Sequence, residues 1–224
     1  MRRELLSELF DEDLGTPAEL TSSLSDLRLI NQLFGGTRTT VNLLKRVLAE
    51  GGGRELSLLE VGAAAGDLPL SAQRLLAGTG TALRVVLLDR MWSHLNSCSA
   101  VAVCGDGLQL PFRDSVFDVV SCALFAHHLE PEELRHFVLE GLRVCRRALL
   151  INDLIRSWLH LWLVYAGLPL FRSRLTRHDA PASVRRAYTL EEIRRMLQDL
   201  PGVRIEISKH YLYRVGVLVW KNGS

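Results

Sequence analysis

Three short stretches of this 224-residue chain set small residues and single carboxylates at the ends of successive apolar runs. In Leu58-Leu59-Glu60-Val61-Gly62-Ala63-Ala64-Ala65-Gly66-Asp67-Leu68, an apolar run turns toward a predicted helix through five small residues. Side chains that small let backbone N–H groups approach a ligand, and the helix that follows offers its positive N-terminal end. Packing alone also explains a loop of this kind. The next run, Val85-Val86-Leu87-Leu88-Asp89, ends on an acid 23 positions after Gly66, where a carboxylate accepts from both hydroxyls of a ribose. Gly105-Asp106-Gly107 follows a third run and supplies a carboxylate free to accept from an adenine amino group.

These groups need elements that hold them on one side of a sheet. Leu56–Val61, Leu83–Asp89, Val101–Cys104, Phe117–Cys122 and Ala148–Asp153 read as strands, apolar on both faces and separated by helical text. That alternation predicts an α/β fold with a parallel sheet covered on both sides, and ligands in such sheets bind at the carboxyl ends of the strands. Val203–Ser208 and Tyr211–Trp220 lie too close together for a crossover and predict a terminal antiparallel hairpin. Before the alternation, Glu19–Phe34 and Thr37–Ala49 carry helical spacing, opened by Thr16-Pro17 and divided by Gly35-Gly36. Thr189 with Glu192 is a capping box for a helix running to Leu200.

Composition narrows the function classes. Lys and Arg number 27 against 25 Asp and Glu, a net charge of +2, which argues against a dedicated nucleic-acid binder. The cysteines Cys98, Cys104, Cys122 and Cys145 contain no C-x-x-C pair and read as reduced thiols. His94, His136, His160 and His210 show no ligand spacing, so no metal site is expected. An acidic N-terminal region without an apolar h-region predicts a cytoplasmic protein without a signal peptide.

Together these residues resemble class I S-adenosylmethionine-dependent methyltransferases. Glu60-Val61-Gly62-Ala63-Ala64-Ala65-Gly66 is similar to the family's acidic-x-Gly-x-Gly-x-Gly loop, with Ala64 in place of the middle glycine. The resemblance implies S-adenosyl-L-methionine as cofactor, held by Glu60, Gly62, Ala64 and Gly66. It makes Asp89, followed by Arg90, the ribose acid and Asp106 the adenine-reading acid, with Gly107 and Leu108 beside the ring. Phe117-Asp118-Val119-Val120 resembles the fourth-strand motif, after which Ala123–His128 would line the site near the methionine moiety. The terminal hairpin matches the family's sixth and seventh strands, completing a Rossmann-like seven-stranded sheet. Asn31–Leu33, Gly35-Gly36 and Arg38 resemble the segment lying over the cofactor in ubiquinone and menaquinone methyltransferases, so residues 1–50 are expected to cover the cofactor site of a core at 51–224. His178-Asp179 and Ser183-Val184-Arg185-Arg186-Ala187-Tyr188 resemble methyltransferases encoded beside type III polyketide synthases.

With an activated methyl supplied by the cofactor, the protein must position an acceptor and help it lose a proton. His127 and His128 sit where the resemblance brings acceptor and methyl together, and near-neutral imidazoles suit the proton. Their alternative is structural, packing under and capping the helix opened by Glu130-Pro131. Asp153 and Arg156 face the same cavity or brace a helix. His178, Arg185 and Tyr188 belong to a substrate cap at about 154–188, or the arginines to a solvated surface.

Leu154–Phe171 reads as one helix apolar nearly all round, interrupted by Arg156 and His160 and too short for a membrane span. Such a helix is expected to be buried, as a lid over a lipophilic acceptor, as a homodimer contact, or as a foot on a membrane surface. The expected function is methyl transfer to an oxygen, or less readily a carbon, of a hydrophobic small-molecule acceptor such as a phenol, quinone precursor or polyketide. The alternatives are an RNA or protein methyltransferase and a non-catalytic regulator on the same fold.

Overall fold

The computed structural model describes residues 1–12, 14–95 and 100–221; Cys98 lies outside them. Its strands β1 (Glu55–Val61), β2 (Ala82–Asp89), β3 (Val101–Cys104), β4 (Phe117–Ala123), β5 (Cys145–Leu154), β6 (Val203–His210) and β7 (Arg214–Lys221) form one sheet in the order β3-β2-β1-β4-β5-β7-β6. Pairings among β1 to β5 are parallel, and β7 enters antiparallel between β5 and β6. This is the predicted seven-stranded, mostly parallel sheet with its terminal hairpin.

The period-two alternation of each strand divides its apolar residues between two cores. Leu59, Val61 and Val120 face helices α5 (Pro131–Val144) and α8 (Leu190–Leu197), while Leu56, Leu58 and Val119 face α2 (Gly36–Gly51) and α3 (Asp67–Ala77). Gly141 of α5 lets that helix lie directly on the sheet, because a Cβ there would overlap the side chain of Leu149.

Helix starts follow their local chemistry. Thr16 and Glu19 form a capping box ahead of α1 (Pro17–Leu33), Pro131 occupies the first turn of α5, and Thr189 with Glu192 caps α8. Residues 1–12 and 14–16 form no helix. They run as a strap over the carboxyl ends of the strands.

The apolar stretch 154–171 differs from expectation. It is divided into the end of β5, a link, α6 (Trp158–Gly167) and a 3-10 turn (Leu168–Leu170). Ser157 accepts from the His160 amide and starts the helix afresh. Nor is α6 buried all round: Trp158 is 62% and Trp162 70% exposed, and only His160 and Leu161 are buried. Uniform hydrophobicity has no direction, so it did not reveal which face would turn inward. The next helix, α7 (Arg174–Arg186), packs against both α1 and α6.

Candidate active site

A cavity of about 900 Å³ opens at the carboxyl ends of β1 to β4 and continues beneath α1, α6, α7 and the strap. Its first end is made by the three loops singled out in the sequence. Gly62, Ala64 and Gly66 all adopt left-handed backbone, with φ of 65°, 46° and 73°. These turns aim the Ala64 amide at Asp89 Oδ2, 2.8 Å away, while the Met91 amide donates to Oδ1 at 2.9 Å. His94 Nδ1 stands 3.5 Å from the same carboxylate. Burial works to raise the Asp89 pKa, but His94 and the two amides outweigh it and hold the acid below its usual range. Each Asp89 oxygen thus keeps lone-pair capacity toward the cavity.

Phe125 is wedged between two of the glycines. A Cβ on Gly62 would come within 2.7 Å of its ring and one on Gly107 within 3.1 Å. Below the loop, Glu60 is 2% exposed and accepts from the Ser121 hydroxyl. Burial pushes its carboxyl up to about 7, against the pull of that hydroxyl.

Ala64 stands where the resemblance has a glycine, and its positive φ strains a side chain that carries a Cβ. Ala64→Gly is therefore expected to raise stability by about 1 kcal/mol, read as a higher melting temperature with cofactor binding retained.

The second end is apolar, with Leu24, Leu27, Ile30, Leu163, Leu170 and Phe171 among its walls. Its polar floor is the 3-10 turn Ala126–His128. Asp153, at the end of β5, accepts from the His127 amide at 3.0 Å and contacts ring Nδ1 at 2.8 Å. His127 Nε2 then faces Glu8 of the strap, 3.4 Å away. Burial disfavours the imidazolium, yet Asp153 and Glu8 together raise the His127 pKa to about 10. His128 Nδ1 lies 2.7 Å from Asp11 Oδ2 of the strap.

The strap is held by directional contacts. Asp179 accepts from the Leu9 and Phe10 amides at 2.9 and 3.0 Å, and the Phe10 ring stacks on His94 at 4.3 Å. Arg3 donates to the carbonyls of His127, Leu129 and Arg186 and lies over the Tyr188 ring.

Of the residues expected to hold the cofactor, Glu60, Gly62, Ala64, Asp89, Arg90, Asp106, Gly107, Leu108 and Ala123 line the cavity. Gly66 lies just behind it, its missing Cβ making room for Leu87, and Arg38 points to solvent from α2. His127 and His128 line the cavity, whereas His178 is half-exposed on α7 and bonded to Asp179.

The four residues expected to meet substrate stand outside the cavity wall. Asp153 sits beneath His127. Arg156 turns away from Asp153 to donate to the carbonyls of Met1 and Ala187 and to Glu192, because its place in the link after β5 points it at the start of α8. Arg185 reaches Glu4 and the Tyr165 hydroxyl, and the Tyr188 hydroxyl donates to the Leu129 carbonyl.

Sequence reasoning missed Glu8, Phe10 and Asp11, whose approach depends on the path of the strap, and it missed Arg214 at the start of β7. Arg214 is buried, donates to Asn31 Oδ1 at 2.9 Å and lies 3.5 Å from Asn152 Oδ1. The sequence signal for this tie was Asn31 with Gly36, since a Cβ on Gly36 would collide with the Asn31 amide.

The donor set suits a nucleoside with a cationic tail. Asp89 can take a diol, Asp106 a base amino group, and buried Glu60 a positive charge, within loops narrowed by Gly62 and Gly107. Residues 59–149 match the family model described as "Methyltransferase domain". Among solved structures, a SAM-dependent methyltransferase from Aquifex aeolicus is 20% identical, covering 92% of this chain and 98% of that one with a TM-score of 0.61. The plantazolicin methyltransferase in complex with SAH is 12% identical, with 96% and 94% coverage and a TM-score of 0.72. Magnesium protoporphyrin IX methyltransferase from Synechocystis PCC 6803 is 18% identical over 84% of each chain, with a TM-score of 0.55. No curated protein matches the chain. The chain thus has the fold of these S-adenosylmethionine-dependent methyltransferases, and the segment that matches the methyltransferase domain runs from within β1 to within β5.

Proposed function

We propose that this enzyme methylates an oxygen of a hydrophobic small molecule, with a carbon acceptor as the less favoured outcome. The observation that carries the reading is the continuous cavity, which leads from the carboxylates of β1 and β2 into an apolar chamber walled by α1 and α6. Bound S-adenosylmethionine supplies an electrophilic methyl group. Asp89, Asp106 and Glu60 would hold its hydroxyls, amino group and charged end, and Phe125, seated on Gly62 and Gly107, would back the junction between the two ends. The apolar chamber excludes water and orients the acceptor, and His127 and His128 are the polar groups facing it from the floor.

The roof is tight. Leu163, Val164 and Gly167 of α6 line the chamber, so this helix serves as its lid, while Trp158 and Trp162 look outward. A folded RNA or protein would have to thread a single side group beneath both strap and lid. The balanced charge adds no electrostatic pull toward nucleic acid.

The test is transfer of radiolabelled methyl from S-adenosylmethionine to a panel of alkylated phenols, hydroxyquinones and polyketide lactones, alongside transfer RNA and total soluble protein. Label in a hydrophobic phenolic product is expected. Label confined to RNA or protein would overturn the reading.

A further inference from the structure

At the floor of the chamber, Glu8 Oε1 and His127 Nε2 are buried and meet only each other, at 3.4 Å, without a well-formed hydrogen bond, and His128 Nδ1 beside them contacts Asp11 Oδ2 at 2.7 Å. The ligating atoms of Glu8, His127 and His128 lie within 4.8 Å of one another. Burying polar groups without full hydrogen bonding is unfavourable, and two imidazoles and two carboxylates gathered at one point can be satisfied by a shared positive ion.

The surrounding contacts orient this donor set toward the gap, and a bound ion would take the place of the His127 proton. Asp153 takes Nδ1 of His127 at 2.8 Å, which leaves Nε2 turned to the gap, and a carboxylate behind a histidine in this way is the usual support of a metal-bound imidazole. Ser183 donates to Glu8 Oε2 at 2.9 Å and leaves Oε1 free. His127 and Glu8 are 2% and 7% exposed, so water has little access to either.

We infer that Glu8, His127 and His128 form a binding site for a divalent transition-metal ion of the zinc type, with a remaining position open to the acceptor chamber. Two imidazoles and one carboxylate suit zinc-type ions over magnesium or calcium, which favour all-oxygen shells. All three residues line the cavity, so the open position faces the space assigned to the acceptor. That this position takes an acceptor oxygen rests on the proposed methyl-transfer reading; the binding of the ion does not. The ion also ties the strap, through Glu8, to the 3-10 turn after β4. The sequence concealed the site because β1 to β4 lie between Glu8 and the histidine pair along the chain, and adjacent histidines alone lack ligand spacing.

The experiment is calorimetric titration of the full-length, tag-free, chelator-treated protein with zinc, without cofactor, alongside a separate titration with S-adenosylmethionine without zinc. One zinc per chain is expected. Glu8→Gln and His128→Gln should each weaken zinc binding at least about tenfold while leaving S-adenosylmethionine affinity near wild type. Cys104→Ser should leave zinc binding unchanged, although this thiol is exposed and able to compete as a ligand. Cobalt(II) added to the unsubstituted protein should give visible d–d bands without a thiolate-to-metal band, a readout that needs no variant. Absence of stoichiometric zinc, zinc retained in both Gln variants, or a thiolate band would overturn the site. Loss of S-adenosylmethionine binding by the wild-type protein would instead overturn the cofactor reading.

Discussion

Asp89→Ala is expected to weaken S-adenosylmethionine binding about 100-fold, or roughly 2.7 kcal/mol. Two losses add. The carboxylate that would accept from the ribose hydroxyls disappears from the end of β2. The amides of Ala64 and Met91, now held at 2.8 and 2.9 Å, are left without their acceptor, so the loop after β1 relaxes. Asp89→Asn separates these effects, because its amide keeps one oxygen and loses the charge; a deficit of about tenfold is expected there. Calorimetry with the cofactor measures both. An Asp89→Ala affinity within threefold of wild type would sink the assignment of this acid to the cofactor.

The second large effect is a pH dependence centred on Glu60. Burial raises its pKa to about 7 from 4.5, so in the free protein it is mainly neutral below pH 7. A cofactor carrying positive charge favours the carboxylate. Binding below pH 7 must therefore release the Glu60 proton, and affinity should fall about tenfold for each pH unit of acidification toward pH 5. Above pH 7 the dependence should flatten. Free-protein stability has the opposite sign. Between pH 4.5 and 7 the unfolded chain gives up this proton while the folded chain keeps it, so stability declines as pH rises, by roughly 3 kcal/mol across the interval. Glu60→Gln should abolish the binding slope and raise the melting temperature of the free protein at pH 8. A binding profile that is level from pH 5 to 8 in the wild type would remove Glu60 from the cofactor's charged end.

Much of this site was legible because its information is local. A small-residue loop, an acid at a strand end and a second acid in a glycine turn each announce themselves within a few residues, and parallel topology then brings them together without further specification. The hairpin was legible for the same reason. Arg156 was misplaced because three residues of spacing from Asp153 assume a helix, whereas the chain between them finishes β5 and then runs as a link, sending the guanidinium toward Glu192. The apolar stretch 154–171 failed differently. Its pattern carries no polar face, and only the packed positions of α1, α7 and the strap determine that Leu163 faces inward and Trp162 outward. The strap itself was invisible, since Glu8, Phe10 and Asp11 meet partners more than 80 residues away. Such contacts depend on the completed fold and leave no periodic trace.

The strap also closes the chamber without regular structure. Its hold on the chamber is a set of separate contacts, from Arg3 to the floor carbonyls, from the Leu9 and Phe10 amides to Asp179, from Glu8 and Asp11 to the histidine pair and from Arg156 and Arg185 to Met1 and Glu4, with no strand pairing among the described residues. None of these contacts continues the hydrogen-bonded ladder of the sheet beneath. Closure of the chamber therefore rests on the least regular segment of the chain.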